Sequence, residues 1–242
     1  MKFTIIIPCY NAEEWIEECL FSALNQTYLN LQVICVDNES TDSSYSIIQK
    51  VQSSNPQLIV STAPNLFRYS WEEPVEKALE IADGGYFTIL GADDFLDKDY
   101  VTKILKIIKQ SGNKIKLLQT PIRGIQGALK KSTGDIAHSY GSLEEFKTLL
   151  LKGCPVTTPS VVYSMQLHDS GLIRWKSKEF LGAVDYELYF HLQDQQLFIY
   201  PYPEWIGYYY RWHSNQSTWG MHREPKNYDK IIQNYWRQKW KI

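Results

Sequence analysis

A change of hydrophobic period that recurs along the first hundred residues constrains this 242-residue chain more than any other feature. Phe3 to Pro8 is a β-branched run, the pattern of a strand buried on both faces. Asn11-Ala12-Glu13-Glu14 has the form of a capping box, and Trp15/Ile16, Cys19/Leu20 and Ala23/Leu24 follow at helical spacing. Gln32 to Asp37 predicts a second strand, and Thr41 with Asp42 opens a helix through Tyr45, Ile48 and Val51. Leu58 to Ser61 predicts a third strand, Val75 to Ala82 a helix and Tyr86 to Leu90 a fourth strand; Asp99 is placed to cap a helix holding Val101, Ile104, Leu105 and Ile108. Strands alternating with helices of about 10 to 15 residues make a mostly parallel, Rossmann-like α/β sheet with helices on both faces.

Such a sheet binds ligands at the carboxyl ends of its strands, near the point where strand order reverses. The residues there are Cys9-Tyr10-Asn11, Asp37-Asn38-Glu39-Ser40 and Gly91-Ala92-Asp93-Asp94. Carboxylates and a tyrosine without a lysine suit a cation better than a bare anion. No G-x-G-x-x-G follows the first strand and no G-x-x-x-x-G-K-[ST] occurs, which counts against dinucleotide oxidoreductases and P-loop phosphotransferases. A divalent metal, Mn²⁺ or Mg²⁺, joining protein carboxylates to substrate phosphates fits the set. Structural duties compete: Asp93-Asp94 also suits a turn, Asp37 a loop bonding the amides of Glu39 and Ser40, and Tyr10 the core.

Twenty-five basic against 27 acidic residues give a net charge of -2, so a basic nucleic-acid footprint is not expected. The apolar run at the N-terminus is short for a signal peptide and ends at Pro8, and no window reaches the length of a membrane span. Cys9, Cys19, Cys35 and Cys154 form no C-x-x-C pair. A reduced, cytoplasmic protein is the expectation.

The runs Thr4 to Asn11, Ser22-Ala23-Leu24-Asn25-Gln26-Thr27-Tyr28, Val36 to Asp42 and Leu90-Gly91-Ala92-Asp93-Asp94 together resemble the nucleotide-sugar domain of family 2 glycosyltransferases. More thinly, Pro159 to Tyr163, Ala183-Val184-Asp185-Tyr186-Glu187-Leu188 and Tyr209-Tyr210-Arg211-Trp212-His213 are similar to that family's acceptor-side motifs. The resemblance implies a GT-A fold, a single continuous domain and inverting transfer from a nucleotide-sugar donor, of uridine type, to a saccharide or lipid-linked saccharide acceptor in surface polysaccharide assembly. It implies that Pro8 and Tyr10 flank the base, that Asp37 accepts from an imide N–H, and that Arg68 reaches base or phosphate. Asp93 would bind the metal, Asp94 position the donor, His213 hold metal or diphosphate, and Asp185 act as general base. Three departures stand out: Gly91 where the family usually has an acid, Asn38 for its second Asp, and Val184 for its Glu.

Residues 1–110 are expected to form the nucleotide-sugar half, 111–220 the acceptor half of the same domain and 221–242 a basic, aromatic C-terminal tail. The stretch 112–141 is glycine-rich, with a strand expected at Ile115 to Thr120, and Ser142 opens a helix that ends near Gly153. Aromatics crowd the late sequence: five of eight tryptophans lie between Trp205 and Trp240. Trp175 and Trp212 are candidates for a sugar-stacking wall, with core packing as the competing duty. The tail mixes basic and aromatic residues, suiting either a lipid surface or a helix docked on the domain or on a second subunit. A nucleotidyltransferase, and a nucleotide-sugar-binding relative without turnover, are the alternative functions.

Overall fold

In a computed structural model of the chain, residues 1–126 and 129–242 are described; Gly127 of the glycine-rich stretch lies outside them. The expected alternation is realised as β1 (Phe3–Cys9), α1 (Ile16–Leu24), β2 (Leu31–Asp37), α2 (Ser44–Ser54), β3 (Leu58–Thr62), α3 (Glu72–Leu79) and β4 (Tyr86–Ile89), then β5 (Phe95–Leu96) and α4 (Tyr100–Gln110). The second half continues with β6 (Leu117–Gln119), β7 (Ile122–Gln126), β8 (Lys131–Ile136), α5 (Leu143–Leu150), β9 (Val162–Ser164), α6 (Met165–Asp169), α7 (Ser177–Phe180) and α8 (Val184–Asp194). β10 (Tyr200–Pro201), β11 (Tyr208–Trp212), α9 (Ser217–His222) and α10 (Tyr228–Trp240) complete it.

The main sheet has the order β10-β6-β9-β4-β1-β2-β3. β4, β1, β2 and β3 are parallel, and β9 runs antiparallel between β4 and β6. The order reverses beside β1, so the loops after β1 and β4 flank the switch point where such sheets bind ligands. Period-two alternation in β1 and β2 feeds two cores. Ile6, Ile34 and Val36 face α3 and α8, whereas Ile5, Ile7, Val33 and Cys35 face α1, α2 and α4. Cys9, Cys19 and Cys35 lie unpaired in the second core, where burial pushes the Cys9 thiol up to about 12. They serve as small hydrophobes.

Two expected helix caps are corrected. Trp15, with no side-chain capping bond, precedes α1, so the Asn11-to-Glu14 stretch does not form a capping box. The side chains of Asn11 and Glu13 reach across to the loop after β2 instead: Asn11 Oδ1 accepts from the Thr41 amide at 2.7 Å and Glu13 Oε2 from the Ser43 amide at 2.8 Å. Ser40 and Ser44 hydroxyls return the bond by accepting from the amides of Asn11 and Ala12. The loops after β1 and β2 are thereby fastened to each other. Asp99 likewise makes no side-chain cap on α4; its Oδ1 accepts from the Thr27 hydroxyl. Ser142 does cap α5, accepting from the Glu145 amide.

The tail is part of the domain. α10 lays Ile232 and Trp236 against α8, with Trp236 only 1% exposed and stacked on Phe190 at 5.9 Å between ring centroids. Trp240 also packs on Phe190, and its indole N–H donates to Asp194 Oδ1. Of the tail rings that suggested a lipid surface, Trp236 therefore belongs to the core and Trp240 packs against it, whereas Tyr235 stays exposed. Among the described residues no helix is long and apolar enough to cross a membrane. A fully buried indole stacked on a core phenylalanine makes Trp236→Ala costly. A loss of about 3–5 kcal/mol in a urea titration is expected.

Candidate active site

The antiparallel pairing of β5 with β11 sets the site. Tyr209 lies opposite Phe95 and Tyr208 opposite Leu96, so the strand continues back past the Asp93-Asp94 turn as Arg211 and His213. Alternation then separates two sets of side chains. Tyr208, Tyr210 and Trp212 line the cleft above the sheet, while Tyr209 and Arg211 turn toward Phe95 and Trp15. His213 lies one position beyond and brings its Nε2 to 2.9 Å from Asp93 Oδ2.

Asp94, expected to position the donor, turns inward. It is 2% exposed; the Tyr208 hydroxyl donates to its Oδ2 at 2.7 Å and the Arg211 amide to its Oδ1 at 2.8 Å. Burial, reinforced by the charge of Asp93, raises its pKa well above the usual carboxylate range. The Tyr208 hydroxyl also accepts from the Gly91 amide. Gly91, where the family usually has an acid, sits in a turn that has closed on itself. A Cβ there would come within 2.9 Å of both Asp93 Oδ1 and Asp94 Oδ2.

Arg211 was not singled out in the sequence. Its Nε donates to the Asp93 carbonyl, its Nη2 donates to Glu18 Oε2 at 2.8 Å, and its guanidinium lies 4.3 Å from the Trp15 ring centroid. The period-two reading of Tyr208 to Trp212 was the signal that could have placed it on the face opposite Tyr210. Gln216 supports the same strand end, with Oε1 accepting from the His213 amide.

A cleft of about 650 Å³ runs from this turn to the start of α8 and is lined by Pro8, Asp93, Thr158, Asp185, Trp212 and Asp229 among others. Asp185 lies in the first turn of α8, half-buried, with the Tyr186 amide donating to its Oδ1. Burial raises its pKa; the Thr158 hydroxyl and the Tyr186 amide oppose the shift, and the charge of Asp229 adds to it. The helix is held from behind by Glu187, fully buried and paired with Arg174 at 3.0 and 3.2 Å. Val184, where the family has Glu, is fully buried in the core.

At the other end, Tyr10 is 51% exposed at the tip of β1. Asp37 is buried: its Oδ2 accepts from the Ser40 amide, but its Oδ1 is withdrawn from water with no hydrogen-bond partner among the described residues. A buried acceptor left open in this way is costly unless a ligand supplies the donor. Arg68 is largely exposed, with its guanidinium over the Tyr69 ring and 3.6 Å from Glu224. Trp175, expected in a sugar wall, is core: it packs on Trp71 and Tyr163. Trp212 does line the cleft, stacked edgewise on Tyr210.

The family profile described as Glycosyl transferase family 2 matches residues 4–169. The chain belongs to glycosyl transferase family 2. It is 28% identical over 210 residues to the poly(ribitol-phosphate) beta-glucosyltransferase of Bacillus spizizenii, covering 78% of this chain and 32% of that protein. It is 35% identical over 103 residues to the chondroitin synthase of Pasteurella multocida, covering 43% of this chain and 10% of the relative. It thus spans a third or less of the length of these two curated relatives. Among solved structures, residues 1-349 of S. aureus TarS in complex with UDP-GlcNAc superpose with a TM-score of 0.74 at 20% identity, over 93% of this chain and 62% of that one. The mannosyltransferase PcManGT from Pyrobaculum calidifontis, in complex with GDP-Man and Mn²⁺, superposes with a TM-score of 0.63 at 16% identity, over 98% of this chain and 69% of that one. These likenesses establish the fold of the family-2 domain.

Arg211 is the tie between that turn and α1. Arg211→Ala is expected to lower stability by about 2–3 kcal/mol, as for loss of hydrogen bonds to a charged group, read in a denaturant titration.

Proposed function

We propose that the chain transfers a sugar from a uridine diphosphate donor to a hydroxyl of a saccharide or lipid-linked saccharide acceptor, with inversion at the anomeric carbon. One observation carries the reading: a single cleft joins Asp93, which His213 holds from behind at 2.9 Å, to Asp185, a carboxylate whose pKa burial raises, as suits a proton acceptor. That the relatives named above include a poly(ribitol-phosphate) beta-glucosyltransferase and a chondroitin synthase supports a polymer or saccharide acceptor.

The open Asp37 Oδ1 accepts the imide N–H of uracil, and the exposed Tyr10 ring stacks on the base beside Pro8. Guanine presents its Watson–Crick edge differently and would not match one acceptor at this depth. Asp185 takes the proton from the acceptor hydroxyl as its oxygen bonds to the anomeric carbon and the bond to the departing diphosphate breaks. No protein nucleophile is needed for a single displacement.

Among the described residues no group of three His, Cys, Asp or Glu side chains is arranged to hold a metal ion. Asp93, which lines the cleft, and His213 Nε2, 2.9 Å from Asp93 Oδ2, do fit a site in which substrate phosphates and water supply the remaining ligands. A Mn²⁺ or Mg²⁺ held by this pair would neutralise charge gathering on the diphosphate. The membrane contact expected of the tail keeps only the outward residues of α10, Ile231, Tyr235 and Lys230, as its basis.

Calorimetry with UDP tests the nucleotide end. Binding is expected with Mn²⁺ present, to weaken about 10- to 100-fold in Asp37→Ala through loss of a charged hydrogen bond, and to lose its metal dependence in Asp93→Ala. Metal-independent binding by the unaltered chain would remove the metal from the scheme. The base is tested by pH. A raised pKa means that Asp185 binds its proton at higher pH than an ordinary aspartate, so transfer falls off on the acid side above the reference value of 3.8. Asp185→Asn is expected to lower transfer by about 10²- to 10⁴-fold and to abolish that acid limb while UDP still binds.

A further inference from the structure

The loop between β3 and α3, residues 63–71, is fastened at one end to the loop after β2 and at the other to the start of α7. At its start the Ala63 amide donates to the Asp37 carbonyl, the Asn38 side-chain amide donates to the Pro64 carbonyl, and the Asn65 amide donates to Glu39 Oε2. These are the residues of the nucleotide end. At its far end Ser70 shares a short hydroxyl–hydroxyl contact with Ser177, and Glu72, which opens α3, accepts from the Ser177 amide. That places the far end beside the turn that leads into α8 and Asp185.

Between the two ends lies Tyr69, at φ 66°, in left-handed backbone that a tyrosine seldom adopts. It is seated against two glycines from different segments. A Cβ on Gly182 would come within 2.6 Å of the Tyr69 carbonyl oxygen, and one on Gly220 within 2.2 Å of the ring carbon Cε1. Gly182 is three residues before Asp185 and follows Leu181, which is itself at φ 49°. Gly220 belongs to α9, whose neighbour Met221 also faces Gly182. Tyr69, Gly182 and Met221 all line the cleft. The Arg68–Glu224 pair ties the same loop to the segment after α9. Two unfavourable backbone conformations and two side-chain-free positions thus meet at one point.

We propose that Tyr69 is a positioning residue that couples occupancy of the nucleotide end to the setting of the α8 turn and hence of Asp185. A ligand that firms the loop after β2 firms the start of the 63–71 loop through the bonds to Asp37, Asn38 and Glu39. The wedge of Tyr69 between Gly182 and Gly220 passes that constraint to the acceptor side. This inference rests on the nucleotide end being the UDP site.

Cys154 supplies the probe. It lines the acceptor side of the cleft and is the exposed residue of the four, Cys9, Cys19 and Cys35 being buried; because burial of its sulfur raises its pKa, the reaction is timed in alkaline buffer, where more thiolate forms. Its alkylation by iodoacetamide, timed by intact mass with and without UDP and Mn²⁺, reports the acceptor side without an acceptor. In the unaltered chain UDP is expected to slow alkylation about fivefold, the lower range of coupling between two sites. Tyr69→Ala and Gly220→Ala are expected to remove that effect while calorimetry still shows UDP bound. Tyr69→Phe keeps the ring and the carbonyl and is expected to retain it. Retention of the effect in both Tyr69→Ala and Gly220→Ala, or no effect of bound UDP in the unaltered chain, overturns the coupling. Failure of the unaltered chain to bind UDP overturns the donor assignment instead. Since Tyr69→Ala opens space and Gly220→Ala fills it, loss of folding in one leaves the other to decide.

Discussion

The carboxylate of Asp94 is almost withdrawn from water, and both of its oxygens are taken by groups of β11: the hydroxyl of Tyr208 and the amide of Arg211. A buried carboxylate is tolerated only when its acceptor capacity is met, and here one strand meets it. Because those two donors lie on β11, the same bonds fix the strand beyond them, and with it His213 beside Asp93. Arg211 extends the arrangement outward through the Asp93 carbonyl to Glu18 on α1. Residues 120 positions apart in sequence are thereby brought within hydrogen-bond distance. The side chain that does most to build the site accepts one hydrogen bond from β11 at each of its oxygens.

The nucleotide half was legible in the sequence because its determinants are local. A β-branched run, a loop and an amphipathic helix recur four times, and the ends of β1 to β4 fall within about two residues of their expected places. What the pattern could not show was where short polar side chains spend their hydrogen bonds. Asn11 and Glu14 satisfy the spacing of a capping box, but Asn11 and Glu13 serve the neighbouring loop, because a parallel sheet sets the carboxyl ends of β1 and β2 side by side. Asp99 satisfies the rule for a cap and instead bonds Thr27. A rule of sequence distance cannot see a partner supplied by an adjacent strand.

The acceptor half was less legible for the same reason in stronger form. β6 was expected, but β5 and β10 are two residues long and β9 three, too short for any periodicity to declare them. Their identity comes from pairing. The late aromatics show how composition blurs distinct duties: Trp175 and Trp236 pack the core, Trp212 faces the cleft, and Trp219 lies 39% exposed with its indole N–H donating to the His213 carbonyl. One excess of tryptophan in the sequence thus serves a hydrophobic core, a cleft wall and a strand end.

Glycine carries a further lesson about reading such a chain. In the sequence it marks turns and loops, through its freedom of backbone. At positions 91, 182 and 220 the backbone is of an ordinary kind, and what matters is the room left by a missing Cβ. Gly91 lets two carboxylates crowd one turn, and the other two glycines let Tyr69 come between segments that the chain keeps far apart. Close approach depends on what the rest of the fold brings to the spot, so no local pattern announces it. An acid at position 91, as the family usually has, would need the Asp93 and Asp94 carboxylates to move apart, and Asp94 cannot move without releasing β11. The departure at 91 and the burial of Asp94 are therefore one arrangement, and the first could not be reversed without loosening the second.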